Sequence, residues 1–204
     1  MSFTIIPATV AHYPKIVDIL VDAFAADPAF LRMIPQPDPD NEKLRALFTL
    51  ELKKQYAVAG HVDLALNDEG EALGVALWDF YEGRPQAAES LAALPDLWNI
   101  FGRGTAQVIK TEMHSSTFHP NFPHWYLYTL ATPESARGQG IGTALLNYGF
   151  DRAGNSGIYL EATSTRAAQL YQRLGFVSMG YIPTRDGSHP ELAMWKPPAL
   201  PQEN

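Results

Sequence analysis

The order of apolar and polar positions predicts strands and helices that alternate along the chain. Short apolar runs bounded by turn residues favour strands over residues 3–7, 62–66, 72–80, 125–132, 158–162, 176–182 and 191–196. Apolar residues that recur every third or fourth position predict helices over residues 13–24, 41–59 and 164–174, and residues 30–34 read as a short apolar turn. This order predicts an α/β fold.

Composition narrows the class of protein. The chain has 204 residues, 46% of them hydrophobic, which suits one domain with an ample core. The net charge of −7 and the lack of a Lys/Arg run disfavour a nucleic-acid partner, whereas a negative field would attract a cationic ligand. Without cysteine there is no disulfide, no thiolate metal site and no cysteine acyl-enzyme. Because no apolar run is long enough to span a membrane and the first residues lack a charged region before an apolar core, we expect a cytoplasmic protein without a membrane partner.

Residues 126–146 carry the strongest chemical signal, since they read as a strand, a glycine-rich loop and a helix. Gly138, Gly140 and Gly142 occupy every second position of the loop, so a ligand can approach the backbone closely. The N–H groups of such a loop and the positive end of the following helix together favour a phosphate or pyrophosphate. Arg137 adds a fixed positive charge at the loop entrance.

Two common nucleotide-binding motifs do not fit this loop. A Walker loop needs a lysine followed by Ser or Thr after its last glycine, and no lysine is present there. The dinucleotide pattern G-x-G-x-x-G needs a third glycine where Thr143 or Leu145 stands. The loop therefore requires another interpretation.

A second segment lies downstream, after the predicted strand 158–162. Ala167, Leu170, Tyr171 and Leu174 share one helix face, and Gly175 stands where a C-terminal cap would end the helix. The string Leu-Tyr-Gln-Arg-Leu-Gly-Phe over residues 170–176 leads into the next predicted strand.

These two segments resemble the GNAT superfamily of N-acetyltransferases. Arg137-x-x-Gly140-x-Gly142 is similar to its coenzyme A pyrophosphate loop, and residues 170–176 are similar to the tyrosine-bearing helix that follows its fifth strand. The resemblance implies a mixed, mostly antiparallel sheet of six or seven strands with helices on both faces. It also implies direct acetyl transfer from acetyl-CoA to an amine. The strand 125–132 preceded by a histidine, and residues 161–164, resemble the puromycin-acetyltransferase-like branch.

The resemblance implies where the acetyl-CoA co-substrate binds. Two central strands would separate at their C-terminal ends, and the pantetheine arm would pair with the backbone of one of them. The binding residues implied in this way are Leu130, Ala131, Thr132, Arg137, Gly138, Gln139, Gly140, Ile141, Gly142, Thr143, Ser164 and Arg166. Ser164 departs from the family pattern, which often has asparagine seven residues before the tyrosine.

Tyr171 matches the tyrosine that protonates the departing thiolate in many relatives. A phenol, with an ordinary pKa near about 10, keeps its proton at neutral pH as a general acid must. A buried tyrosine on the apolar face of the helix is the structural alternative.

The motifs identify the base that deprotonates the amine less clearly than they identify Tyr171. Counting back from Gly140, the position of the glutamate used by histone-type relatives holds Tyr126, and His124 stands two residues earlier on the same strand face. We expect His124 to act as the base, since imidazole titrates near neutrality. Alternatives are Glu161, Asp27, Glu112, or solvent; a structural His124 is also open.

The long region over residues 82–123 falls outside the minimal pattern of strands and helices in the superfamily that the chain resembles. We predict a helical piece around residues 86–109 and an irregular piece over 115–123. It is either an insertion over the acceptor side of the site or a helical pair that covers the sheet. We expect one acetyltransferase domain over residues 1–197 and a tail over 198–204.

No metal is expected. His114, His119 and His124 recur every five residues, a spacing that puts them on neither a shared helix face nor a shared strand face.

The expected partners are a coenzyme A thioester and the primary amine of a small molecule, and a homodimer is left open. Two other functions remain: acetylation of a protein side chain or N-terminus, which needs an open groove, and a non-catalytic acyl-CoA-binding module.

Overall fold

The computed structural model describes residues 2–57, 60–83, 87–184, 187 and 189–198. The strands are β1 (Phe3–Pro7), β2 (His61–Asn67), β3 (Ala72–Tyr81), β4 (His124–Ala131), β5 (Ile158–Ala162), β6 (Val177–Ile182) and β7 (Glu191–Lys196). The α-helices are α1 (Tyr13–Phe24), α2 (Pro28–Met33), α3 (Glu42–Glu51), α4 (Ala87–Phe101), α5 (Thr105–Ser116), α6 (Ile141–Ala153) and α7 (Thr165–Arg173). No helix in these ranges is long and apolar enough to cross a membrane.

The strands form one sheet in the order β1-β2-β3-β4-β5-β7-β6. Neighbouring strands are antiparallel except β4 and β5, which are parallel. Alternate side chains of β3 enter different cores. Val75 and Leu77 pack with α1 and α3 on one face, while Ala76 and Trp78 pack with α6 on the other. The predicted α/β sheet, mostly antiparallel with helices on both faces, is therefore confirmed.

A β-bulge changes the register in the middle of β4. Leu77 of β3 pairs with Thr129, but the next β3 residue, Trp78, pairs with Leu127, so Tyr128 is an extra residue. A bulge of this kind bends the strand and re-aims side chains, and bulges are frequent beside active sites.

Some predicted elements need correction. The single helical piece expected around residues 86–109 is two helices, because Gly102 has a φ of +52° and α4 ends at Phe101. Helix α5 continues to Ser116, into the segment expected to be irregular. Residues 30–34, expected as a turn, mostly belong to α2, whose N-cap is Asp27. Residue 86, residues 58–59 of the expected 41–59 helix, and all but the first residue of the expected 198–204 tail lie outside the described residues.

Packing between α6 and the sheet depends on a glycine. A Cβ atom at Gly149 would lie 2.2 Å from Cζ2 of Trp78, a fully buried side chain. At Gly142 of the same helix a Cβ atom would stand 3.7 Å from the nearest atoms, those of Leu130 and Leu170, which is ordinary contact. Two glycines of one helix thus differ in whether they can accept a methyl group.

We expect Gly149→Ala to lower the free energy of unfolding by about 1–2 kcal/mol. Overpacking typically costs about 1–3 kcal/mol, and the gain in helix propensity offsets at most about 1 kcal/mol of it. The matched control, Gly142→Ala, should leave stability unchanged or raise it. Urea unfolding of both variants measures the difference, and equal stabilities would contradict this account of the α6–sheet contact.

Candidate active site

The site begins where β4 and β5 separate. The described strands share two bridges, Trp125↔Ile158 and Tyr126↔Tyr159, and beyond Tyr126 the β5-facing edge of β4 is unpaired by β5. A cavity of about 630 Å³ lies at this opening and is lined by both strands, by α2 and α5, and by the loop that precedes α6. The parallel pair thus makes the cleft that the resemblance implied.

The glycine loop forms one end of the cavity. Gly138 has a φ of +80° and Gly140 a φ of +82°, a left-handed conformation that favours glycine. A Cβ atom at either position would meet no described atom within 4 Å, so the space outside the loop is open to a ligand. Gly140 is the N-cap of α6, whose first N–H groups lie at the cavity. This cradle fits a coenzyme A pyrophosphate.

Eleven of the twelve residues predicted to bind the co-substrate line this one cavity: Leu130, Ala131, Thr132, Arg137, Gly138, Gly140, Ile141, Gly142, Thr143, Ser164 and Arg166. Gln139 does not; its side-chain amide donates a hydrogen bond to the Ser135 carbonyl at 3.0 Å. Ser164 is the N-cap of α7 and accepts the Ala167 N–H at 3.2 Å. The structure therefore brings eleven of the predicted residues to one cavity, and their role in binding acetyl-CoA stays a prediction.

Tyr171 lies on the cavity wall formed by α7. Its ring packs against Phe176 with a centroid distance of 5.6 Å, and the residue is 7% exposed. Burial raises the pKa of the Tyr171 phenol above its ordinary value of 10.0. The hydroxyl therefore stays protonated at neutral pH, the state required of a proton donor.

The opposite end of the cavity carries a hydrogen-bonded carboxylate. The Tyr126 hydroxyl donates to Oε2 of Glu161 at 2.7 Å, and Nε2 of His119 lies 3.5 Å from Oε1 of the same carboxylate. All three side chains line the cavity, and those of His119 and Glu161 are each 8% exposed. A carboxylate, an imidazole and a phenol thus meet where strand β5 ends.

Tyr128 and Glu51 form a second tyrosine–glutamate pair. The Tyr128 hydroxyl donates to Oε1 of Glu51 at 2.7 Å, where α3 passes into the π-helical turn Leu52–Tyr56. Burial raises the pKa of Glu51 from its ordinary 4.5 to about 8, although the Tyr128 bond opposes the change. Glu51 is therefore mostly protonated at neutral pH. Tyr128, which lines the cavity, is thus hydrogen-bonded to an uncharged carboxylic acid.

Other carboxylates surround this end of the cavity. Asp27 accepts hydrogen bonds from the Ala29 N–H at 2.9 Å and from Oγ1 of Thr163 at 2.6 Å. Glu191 forms an ion pair with Arg32, but burial and the charge of Glu161 raise the pKa of Glu191 to about 7. Glu112 of α5 is exposed on the cavity wall. Such a wall favours a cationic group.

His124, predicted as the base, lies behind this wall. It is fully buried and does not line the cavity; its Nδ1 bonds the Phe122 carbonyl at 2.8 Å, and burial lowers the pKa of the imidazole. The rings of His119 and Tyr159 each lie 5.8 Å from the ring of His124. Because His124 does not line the cavity, it could exchange a proton with a bound acceptor only through neighbouring side chains such as those of His119 or Tyr159. The prediction itself stays open.

Sequence reasoning missed His119, Glu51, Glu191 and Tyr128 as parts of the site. His119 was considered only as a metal ligand; within the described ranges no group of three or more His, Asp or Glu side chains could hold a metal ion. The first residue of the π-helical turn follows Glu51, and the bulge re-aims Tyr128; neither feature has a signal in periodicity. The acidic end of β5 was the one available sign, through Glu161.

Comparison with known proteins agrees with this geometry. The model of the acetyltransferase (GNAT) family matches residues 27–176, so the chain belongs to that family and is an acyltransferase. Members of the family use acetyl-CoA as co-substrate. The resemblance seen in the sequence is thereby confirmed, while the narrower puromycin-acetyltransferase-like branch stays a prediction.

Several solved structures are similar to the whole chain. One described as histone acetyltransferase HPA2 and related acetyltransferase, from Corynebacterium glutamicum, is 60% identical, with 100% of both chains covered and a TM-score of 0.81. Arylalkylamine N-acetyltransferase 2 from Aedes aegypti is 18% identical over 96% of this chain and 99% of its own, with a TM-score of 0.63. The polyamine N-acetyltransferase of Drosophila melanogaster is 13% identical over 95% and 98%, with a TM-score of 0.59. The last two show a shared fold.

The Glu51–Tyr128 contact predicts a pH-dependent effect on stability. Between about pH 5 and pH 8 the unfolded chain releases the Glu51 proton while the folded chain keeps it, so this group makes the free energy of unfolding fall as the pH rises. Glu51→Gln cannot ionise and still offers an oxygen to Tyr128. Relative to the unmodified protein, the variant should gain stability from pH 5 to pH 8, by at most about 1.4 kcal/mol per pH unit.

Urea unfolding at several pH values measures that gain. The control is Glu42→Gln, which removes the same charge from the exposed first turn of α3. A Glu51→Gln advantage that is independent of pH would contradict a buried, protonated Glu51.

Proposed function

We propose that the protein transfers an acetyl group from acetyl-CoA directly to the primary amine of a small molecule. The observation that carries the proposal is the single cavity with two different ends, a glycine loop at a helix N-terminus and a wall of carboxylates. The first end suits a pyrophosphate and the second an ammonium ion. One cavity can then hold the donor and the acceptor together, as direct transfer requires.

A small acceptor is favoured by the elements that cover the carboxylate end. Helix α2 contributes Ala29, Phe30 and Met33 to the cavity wall, and α5 contributes Thr111 and Glu112. We therefore propose that residues 82–123, which include α5, act as an acceptor-side cover. Apolar and aromatic groups beside carboxylates suit an amine that carries a hydrocarbon or aromatic body.

The proposed roles follow from position. Backbone groups of β4 near Leu130 and Thr132 hold the pantetheine arm and polarise the thioester carbonyl, while the loop and Arg137 hold the pyrophosphate. Tyr171 donates its proton to the sulfur that leaves. Bound acetyl-CoA supplies an activated acyl group, so the protein needs no nucleophile of its own.

A panel of amines tests the acceptor class by release of free coenzyme A thiol. Suitable members are 2-phenylethylamine, putrescine and a lysine-containing histone-tail peptide. The peptide is included because the similar Corynebacterium glutamicum structure is of histone acetyltransferase HPA2 and related acetyltransferase. Turnover of a small amine with a kcat/KM well above that of the peptide supports the proposal. The reverse order would favour a protein acetyltransferase.

Acetyl-CoA binding at the loop is testable with a matched pair of glycines. Gly140→Ala and Gly70→Ala place a methyl group at similar positive φ values of +82° and +77°, each with no described atom within 4 Å. The two variants should therefore have similar backbone strain, but only Gly140 lines the cavity. We expect Gly140→Ala to weaken acetyl-CoA binding at least tenfold, about 1.4 kcal/mol, whereas Gly70→Ala retains it.

The readout is the rise in melting temperature with acetyl-CoA concentration, which follows RT ln(1 + [L]/Kd). If both variants respond like the unmodified protein, the loop does not contact the ligand.

Tyr171→Phe tests the proposed proton donor. The change removes one hydroxyl and keeps the ring packed against Phe176, so the melting temperature and the acetyl-CoA response should be nearly unchanged. General acid catalysis typically contributes about 10²–10⁴-fold, and kcat should fall within that range. A kcat equal to that of the unmodified protein, measured with chemistry as the slow step, would assign Tyr171 to packing alone.

A further inference from the structure

The carboxylate of Glu161 is held in a fixed position but keeps one oxygen unused. Glu161 lies at the end of β5, and its Oε2 accepts the Tyr126 hydroxyl at 2.7 Å. Its Oε1 has no hydrogen-bond partner among the described residues, although the side chain is 8% exposed and lines the cavity. A buried oxygen without a hydrogen bond lowers the stability of the folded protein unless a ligand or a water molecule donates one to it.

His119 stands beside that oxygen and is held by aromatic contacts. Its Nε2 lies 3.5 Å from Oε1 of Glu161, within ion-pair distance but too far for a strong hydrogen bond. The His119 ring is packed by Tyr126, Tyr159 and Tyr81 at centroid distances of 4.5, 4.6 and 5.1 Å. Its Nδ1 also lacks a partner in the described part of the chain. Oε1 of Glu161 and Nδ1 of His119 are thus buried, unpaired polar atoms on two side chains that line the cavity.

The other carboxylates near the cavity are less suited to accept a proton. Asp27 uses both oxygens, one for the α2 N-cap and one for Thr163. Glu191 is paired with Arg32. Glu112 lines the cavity but is exposed, and no described residue forms a hydrogen bond that fixes its carboxylate. Glu51 contributes to the cavity only through Tyr128.

We propose that Glu161, fixed by Tyr126 and paired with His119, is the catalytic residue that removes a proton from the ammonium group of the acceptor. The assignment rests on the function proposed above. One N–H bond of the ammonium breaks and its proton moves to Oε1 of Glu161, so the nitrogen regains its lone pair. That nitrogen attacks the thioester carbonyl, the C–S bond breaks, and the departing sulfur takes the proton of Tyr171. As the amide forms, the nitrogen loses its second proton to solvent, and Tyr171 regains a proton from solvent, so one proton is released overall. Glu161 then returns its proton to solvent through His119.

Charged and titratable groups on every neighbouring element favour this placement. Glu161 faces Tyr126 from β4, Tyr159 from its own strand, His119 from the loop after α5, Glu112 from α5 and Glu191 from β7. Arg32 lies beyond Glu191 and is paired with it, and Asp27 borders the same end of the cavity. Carboxyl groups thus predominate around Oε1, and those that are ionised favour an ammonium ion there.

The first test compares Glu161→Gln with Glu112→Gln, which removes the same charge from the same cavity. Each variant is assayed from pH 6 to pH 10 with the best small amine of the panel. We expect Glu161→Gln to lower kcat/KM at pH 7 by about 10²–10³-fold. This deficit, the ratio of kcat/KM of the unmodified protein to that of the variant, should become smaller as the pH rises and more of the amine is unprotonated. Glu112→Gln should mainly raise KM for the amine and keep the shape of the pH profile.

The second test changes the acidity of the acceptor. Fluorine beside the amine lowers its pKa, so β,β-difluoro-2-phenylethylamine is far less protonated at pH 7 than 2-phenylethylamine; 2,2-difluoroputrescine serves if the panel favours the diamine. The deficit of Glu161→Gln should shrink at least tenfold with the fluorinated acceptor. A purely structural role for Glu161 predicts equal deficits with both acceptors.

The acetyl-CoA-dependent rise in melting temperature controls for folding, since Gln at position 161 still accepts the Tyr126 hydroxyl. A pH profile of Glu161→Gln that overlays the unmodified protein, or equal deficits with both amines, would overturn the assignment. So would a His124→Gln variant that alone shows the narrowing deficit, because the base would then be His124. If the unmodified protein acetylates no amine at all, the proposed function itself fails, an outcome distinct from these.

Discussion

The separation of β4 from β5 is the constraint on which the site depends. Two bridges join the strands, and a continued ladder would close the space that now forms the cavity. Antiparallel neighbours on both sides, β3 for β4 and β7 for β5, supply hydrogen bonds that keep each strand extended after the pair diverges. The unpaired edge of β4 is therefore stable without its neighbour and leaves backbone groups free for a ligand.

The same divergence explains why one cavity has two chemically different ends. The chain leaves β4 toward the glycine loop and α6, so helix N–H groups gather beyond its C-terminal end. On the other side, the α1–α2 junction, α5 and β7 bring carboxylates to the end of β5. Anion-binding and cation-binding groups come from different parts of the sequence, and the gap between the strands is where they face each other.

Much of the fold and of the glycine-loop end of the cavity could be predicted because those signals are local. Short apolar runs bounded by turn residues predicted the bounds of β5 and β7 to the residue. The glycine spacing located the loop, since positive φ and a helix start are properties of neighbouring residues. The carboxylate end of the cavity could not be predicted in the same way. Glu51, His119 and Glu191 reach it from α3, a loop and β7, and only tertiary packing brings them together.

His124 and His119 show where a pattern of alternation stops being informative. Alternation puts His124 on the same face of β4 as Tyr126 and Tyr128, which is why it was a reasonable base. Its depth along the strand differs, however, because Tyr159 pairs at the level of Tyr126 and packs against His124, below the point where the strands part. His119 comes from a loop and enters at the level of the opening. The face of a strand determines which side chains can point toward a cleft. The position of the last bridge between the two strands determines which of those side chains reach it.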